Sequence, residues 1–281
     1  MSKERERLLG ENRAESLRTW RGQPADESEL VLNKQASGDT GASAGGVDNM
    51  FYVMIDAAPG DPVGSGTLYL VNVATGEYRE IGTPAWYSGR LTGLALDPVD
   101  NVLWSIQTAS GSRVFSFTEE AVLIDGFGST FYPVPDITIG ADRIIRGWST
   151  IYNQTAVISR INGAVTGVAY SGLSVENVGV ANTEESGVCL VKSNNQLWSV
   201  NWASGEYTNV CGYVVEPKAG YSGPLMSPFG NWAGTTLLGA RRSLDNGETT
   251  FYRLTLDGGI TELASVPFPV YGLAWAPGRT I

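Results

Sequence analysis

One hairpin pattern recurs along this chain and limits what it can fold into. The two clearest copies are LYLVNVATGEYREI (68–81) and LWSVNWASGEYTNV (197–210), each a β run, a Thr/Ser-Gly turn and a second run. Side chains alternate between the two faces of a strand, and a short Gly-bearing turn joins two antiparallel strands. Weaker copies are VFSFTEEAVLI (114–124), VISRINGAV (157–165) and FYRLTLDGGITEL (251–263). The copies start at residues 68, 114, 157, 197 and 251, so they are spaced 40 to 54 residues apart. Periods of roughly 40–50 residues, with room for four strands each, are the mark of propeller blades. Five hairpins predict five blades.

The other two strands of each blade lie ahead of its hairpin. A β run falls at 51–56, 102–107, 143–149, 186–192 and 235–241. Small, Gly-containing strands precede four of these runs, at 91–97, 136–141, 175–181 and 222–229. Small residues suit an innermost strand, where blades converge and room is least. The first run has no such strand before it. Instead the chain ends on an unpartnered VYGLAWAP (270–277) that matches LTGLALDP (91–98). The expected fold is therefore all-β: a five-bladed β-propeller of four-stranded antiparallel blades, closed by the C-terminal strand joining the first blade. Drawing one blade from both ends removes free edges that would template aggregation. The motifs GLALDP (93–98), NVLW (101–104) and LYLVNVATGEYREIG (68–82) resemble the repeats of NHL-like and related β-propeller proteins, from residue 51 to 277. The resemblance implies the fold and says little about activity, because propellers host many unrelated functions. A β-sandwich with chance similarity is the alternative.

Composition narrows the chemistry. The chain has no histidine, which excludes Ser-His-Asp triads, Cys-His nucleophiles, His-ligated zinc and imidazole acid–base work. A net charge of −10 disfavours nucleic acid and anionic membrane as partners. No apolar run reaches the roughly 18–20 residues that span a bilayer. The start, MSKERERLL, has no hydrophobic signal core, so the expected location is a virion or the cytoplasm of the producing cell, without Sec-type export. Cys189 and Cys211 fall on the second and fourth strands of one blade, some 9–10 Å apart at the usual strand spacing. That is too far for a disulfide, so free thiols are expected. DNGE (245–248) offers oxygen ligands but no full calcium loop, and neither metal nor cofactor is expected.

Residues 1–49 read differently from 50–281. Positions 2–21 hold six Lys/Arg and four Glu, with Asn12 and Glu15 in capping-box spacing and Ala14, Leu17 and Trp20 at i, i+3, i+6. The expectation is a partly helical arm, carrying Leu8, Leu9, Leu17 and Trp20 as anchoring side chains. A small-residue linker over 36–46 then leads into the propeller.

Candidate binding residues come from the long loops between each outer strand and the next inner strand. These gather on one face around the axis and carry Trp86, Tyr87, Phe127, Phe131, Tyr132, Tyr213, Tyr221, Phe268 and Tyr271. Aromatic rings bind sugar faces and anchor protein interfaces. Asp136 and Glu176, at the starts of neighbouring inner strands, complete the candidate ligand-binding face. Without histidine they are also the carboxylates a glycosidase would need. The corresponding positions near Arg90 and Pro269 offer Thr92 and Tyr271 in place of acids. The expected role is a non-catalytic interaction protein, not an enzyme, anchored through its arm to other subunits of an assembly. A phage virion component (decoration, collar or tail adhesin) fits this best. A lectin-like propeller binding surface glycans is the first alternative, and a glycosidase-like enzyme is the second.

Overall fold

The computed structural model describes residues 49–55, 66–84, 91–97, 99–108, 112–127, 133–140, 142–173, 179–183, 187–193, 196–211, 221–228, 236–243 and 247–281, with backbone alone at 108, 112, 192–193, 221–228 and 236. They form five four-stranded antiparallel sheets, and no helix occurs among them. Blade 1 comprises β1 (Met50–Ile55), β2 (Thr67–Asn72) and β3 (Tyr78–Gly82). Blade 2 is β4 (Leu91–Asp97), β5 (Val102–Thr108), β6 (Ser112–Thr118) and β7 (Leu123–Gly126). Blade 3 is β8 (Ile137–Ile139), β9 (Ile145–Ser149), β10 (Gln154–Ile158) and β11 (Val165–Tyr170). Blade 4 is β12 (Gly179–Asn182), β13 (Val188–Ser193), β14 (Gln196–Asn201) and β15 (Tyr207–Cys211). Blade 5 is β16 (Tyr221–Pro228), β17 (Thr236–Ser243), β18 (Thr249–Thr255) and β19 (Ile260–Val266). The last strand, β20 (Val270–Trp275), completes blade 1 in the order β20-β1-β2-β3. The expected ring of five blades closed by the C-terminal strand is the observed one. The expected arm, with Leu8, Leu9, Leu17 and Trp20, lies outside the described residues.

Both faces of each sheet are buried, and this explains the sequence of the second strands. In MFYVMI, Met50, Tyr52 and Met54 pack towards blade 2, while Phe51, Val53 and Ile55 pack towards blade 5. A strand buried on both sides reads as a continuous apolar run rather than an alternating one. The hydrophobic core is accordingly divided into layers, one per junction. Ile106, Ile137 and Ile145 share the layer between blades 2 and 3. Trp148, Val191 and Trp202 share that between blades 3 and 4, and Leu190, Leu237 and Leu254 that between blades 4 and 5. Each fully buried Leu, Ile or Phe contributes about 1.5–3 kcal/mol.

The hairpin motif N-x-x-x-G-E-Y builds a second kind of junction. Asn72 Oδ1 accepts the backbone N–H groups of Ala74 and Thr75, and Asn201 Oδ1 accepts those of Ala203 and Ser204, forming the same side-chain turn twice. The turn glycines Gly76 and Gly205 have φ of 78° and 75°. A Cβ there would lie 2.8 Å from Ser265 O and 2.5 Å from Tyr170 O respectively. Each turn thus docks on the outer strand of the preceding blade. Ala264 N–H donates to Val73 O at 3.0 Å between blades 5 and 1. Between blades 3 and 4, the Thr155 hydroxyl donates to Trp202 O, and Trp202 Nε1 donates to Ala156 O, both at 2.8 Å.

Every outer strand carries a β-bulge. Ile81 is skipped between Leu68↔Gly82 and Tyr69↔Glu80, and Ile124 between Ser116↔Asp125 and Phe117↔Leu123. Val168, Val210 and the Leu263–Ala264 pair occupy the same place in blades 3, 4 and 5. A bulge bends the strand away from a straight pairing template, which is one way proteins guard an exposed edge.

The ring is fastened beyond β20. Ala276 N–H donates to Met50 O at 2.9 Å, and the Arg279 guanidinium pairs with Glu119 of blade 2. The Tyr52 hydroxyl donates to the same carboxylate at 2.5 Å. Burial first, and then the neighbouring Glu119 charge, push the Tyr52 phenol upward, so it stays a donor. Cys189 on β13 and Cys211 on β15 are not bridged, as their separation by β14 requires.

Candidate functional site

The inner strands converge where two of them carry glycine. Gly93 has φ of 60° and lies in a bulge of β4 against β5, its carbonyl accepting the buried Ser105 hydroxyl at 2.8 Å. A Cβ at this position would lie 2.8 Å from Asp136 Cα, and one at Gly272 would lie 2.8 Å from Leu94 Cβ. These approaches bring β20, β4 and β8 into direct contact at the axis.

Asp136 immediately precedes β8 and is 2% exposed. Its Oδ1 accepts the Ile137 N–H at 3.0 Å and its Oδ2 accepts the Val180 N–H of β12 at 2.8 Å. Two residues on, Thr138 Oγ1 accepts the Asn182 N–H at 3.0 Å and donates to Asn182 Oδ1 at 2.8 Å. Inner strands of neighbouring blades form no ladder with each other, so the β12 N–H groups facing β8 need other acceptors. Asp136 and Thr138 supply them with the period of the strand. Burial holds the Asp136 carboxyl well above the usual carboxylate range, against the pull of the two N–H groups. The placement at the head of an inner strand is as expected from sequence. The use of the side chain is different, because both oxygens are committed to backbone.

Tyr271 is at the head of β20, in a bulge where Met54↔Gly272 is followed by Ile55↔Val270. The Arg242 guanidinium lies 4.2 Å from its ring centroid, a cation–π contact linking β17 to the ring-closing strand. Two further loop aromatics, Phe127 and Phe268, pack on the blades. Phe268 lies 4.9 Å from Tyr69 and 5.0 Å from Tyr78, and Phe127 stacks on Trp104 at 6.0 Å. Trp86, Tyr87, Phe131, Tyr132, Glu176 and Tyr213 lie outside the described residues, and Tyr221 is described only as the first residue of β16.

A charge cluster that the sequence did not single out joins blades 2 and 3. Asp97, at the end of β4 and fully buried, accepts Arg143 Nε at 3.0 Å and pairs with Arg160 Nη1 at 2.5 Å. Both guanidiniums also reach Asp100, and Arg160 lies 5.3 Å from the Trp104 ring centroid. Two acids and two bases neutralise each other, so the cluster pins the blades and leaves little net field. Among the described residues no three His, Cys, Asp or Glu side chains gather as a metal ion would need.

No family model matches the chain, and no curated protein matches it in sequence. Its architecture is similar to that of solved lyase structures. Virginiamycin B lyase from Staphylococcus aureus, in a selenomethionine form, shares 15% identity over 77% of this chain and 70% of its own, with a TM-score of 0.44. A catalytically inactive histidine-to-alanine form of that enzyme with quinupristin shares 15% identity over 75% and 69%, with a TM-score of 0.43. A streptogramin B lyase structure shares 13% identity over 75% and 67%, with a TM-score of 0.41. At such identities the likeness shows the propeller fold alone. It nevertheless corrects one expectation. The matched structures are enzymes, so a propeller fold is no ground for the non-enzyme expected from sequence. The propeller fold suggests a role in interaction or binding, a statement that leaves chemistry at the bound partner open.

Proposed function

We propose that this chain is a binding protein that presents a rigid, closed ring to a partner and is held in a larger assembly through residues 2–24. The observation that carries this reading is how tightly neighbouring blades are locked at the inner strands. β20, β4 and β8 touch through Gly93 and Gly272, and β8 is bridged to β12 through Asp136 and Thr138, so these side chains serve to hold the ring. Such a ring offers a partner a rigid surface. The finer form of the proposal is a virion component, a decoration, collar or tail-adhesin subunit, found in particles or in the producing cell's cytoplasm.

The test is fractionation of assembled particles from producing cells, with the full chain and a chain lacking residues 2–24. The full chain should co-sediment with particles, and the shortened chain should remain free while melting like the full one. Equal incorporation of both chains would overturn the anchoring role. Absence of the full chain from particles would overturn the virion setting.

A further inference from the structure

Large hydrophobic side chains are unevenly spread over the outside of the ring. Of the twelve that stand exposed among the described residues, five belong to blade 3: Ile151, Tyr152, Ile161, Val168 and Tyr170. They follow one strand. Ile161 is in the turn leading into β11, and Val168 is the bulged residue of β11, 43% exposed. Tyr170 closes β11 at 68% exposed, opposite Gln154. Ile151 and Tyr152 precede Asn153, whose carbonyl accepts the Ser171 N–H at 2.9 Å, so they stand beside the Tyr170 end. The result is an apolar strip running the length of the outermost strand.

The strip is also uncharged. From Gly147 to Val175 the sequence contains a single charged residue, Arg160, and its guanidinium is held by Asp97 and Asp100. The outer strands of blades 1, 2 and 5 carry charges: Arg79 and Glu80, Asp125, and Glu262. That of blade 4, YTNVC, carries none but exposes Tyr207 alone among its large hydrophobics. In a chain of net charge −10, the blade 3 wall is thus the one that joins an extended apolar strip to little repulsion of a second molecule of the same charge.

We infer that the outer wall of blade 3 is a self-association surface, its occupant the same wall of a second copy of this chain. Charge decides the occupant. A basic partner would gain nothing from this neutral strip and would be drawn to the acidic remainder, whereas an identical neutral apolar strip matches it. Two-fold pairing then sets Tyr170 and Val168 of one copy against the strip of the other, the self-complementary arrangement commonest among oligomers. Two half-exposed tyrosines alone offer on the order of 200 Å² per copy, part of the ~800 Å² a standard interface buries on each side. The contact is one of side-chain faces. The bulge at Val168 spoils β11 as a template for a fifth hydrogen-bonded strand.

Sedimentation velocity across a concentration series of the full chain tests this, with Tyr170→Glu, Val168→Lys and a chain lacking residues 2–24. The full chain should associate to a dimer. Each wall substitution should raise the dissociation constant at least about tenfold while melting stays as in the parent chain, and the shortened chain should dimerise as the full one does. A parent chain that stays monomeric overturns the inference. So does a dimer indifferent to both wall substitutions, or one lost on removing residues 2–24.

Discussion

In blade 1 the bulged residue of the outer strand, Ile81, packs against the layer between blades 1 and 2, and Tyr78 beside it leans on Tyr69 and Phe268. In blade 3 the residue at the same place, Val168, stands half-exposed, and Tyr170 stands further out. The two hairpins share a bulge and a turn glycine set against the preceding blade, Gly76 on Ser265 and Gly163 on Phe127, so the difference lies in what surrounds them. β3 carries Arg79 and Glu80 beside its apolar residue, while β11 (VTGVAY) carries no charge. Blade 1 also joins the first and last described strands, β1 and β20, and holds the Tyr52–Glu119–Arg279 clasp. One blade turns its bulged residue inward and closes the ring, with Tyr78, 45% exposed, as the large hydrophobic left on its outer strand. The other leaves its wall open.

The largest expected effect breaks the sealing blade. Removing residues 270–281 takes away β20 and Arg279 and uncovers Phe51, Val53 and Tyr52. The loss should exceed the roughly 5–15 kcal/mol that keeps a domain folded, and circular dichroism should show no cooperative melt. A chain that still melts cooperatively would contradict closure by the C-terminal strand. Next in size is Gly272→Val, whose Cβ would meet Leu94 Cβ at 2.8 Å. Wedging blade 1 from blade 2 should cost about 1–3 kcal/mol, read as a lower midpoint in urea.

Glu119→Ala leaves the buried Tyr52 hydroxyl and Arg279 without their shared acceptor. A loss of about 1–3 kcal/mol is expected, and Glu119→Gln should recover part of it. The same substitution should not alter dimerisation through blade 3, which separates the clasp from the wall.

A smaller effect concerns pH and distinguishes the axis from both walls. Asp136 has its folded pKa raised by burial, so the folded protein holds this proton more tightly than the unfolded chain does. Its contribution is fully present below the unfolded carboxylate value near 4 and is lost as pH rises through the raised folded value. Stability measured by urea titration should therefore fall with rising pH over that window, and Asp136→Asn should flatten the slope. An unchanged slope would argue that the carboxylate is ionised between its two N–H donors. Cys189, whose buried thiol is pushed up to about 12, should resist thiol reagents until the ring unfolds.

The fold was legible because a propeller writes its period into the chain. Both copies of the N-x-x-x-G-E-Y motif make the same Asn-capped turn, and LTGLALD and VYGLAW place their glycines where inner strands touch. Runs such as MFYVMI announce burial on two faces. The site was legible in position and much less in use. Asp136 is at the head of an inner strand as its sequence place requires. Its commitment to the Val180 N–H depends on the neighbouring blade, 44 residues away, and leaves no local trace. The Asp97–Arg143–Arg160 cluster and the stacking of Arg242 on Tyr271 likewise arise from the ring closing on itself. Nor does sequence distinguish Ile81 from Val168. Both are aliphatic residues at the bulge of an outer strand, and only their surroundings set one against the core and the other in solvent.

That pair supplies the most direct test, because the same change can be made at the same structural place. Ile81→Lys and Val168→Lys should be compared by thermal melting and sedimentation velocity. Lys at position 81 should cost about 1–2 kcal/mol, lower the melting temperature by several degrees and leave dimerisation intact. At 168 the substitution should stay within about 0.5 kcal/mol of the parent and leave the protein monomeric. If Val168→Lys melts early, or if it sediments as a dimer like the parent chain, the division between a sealing blade and an open one is wrong.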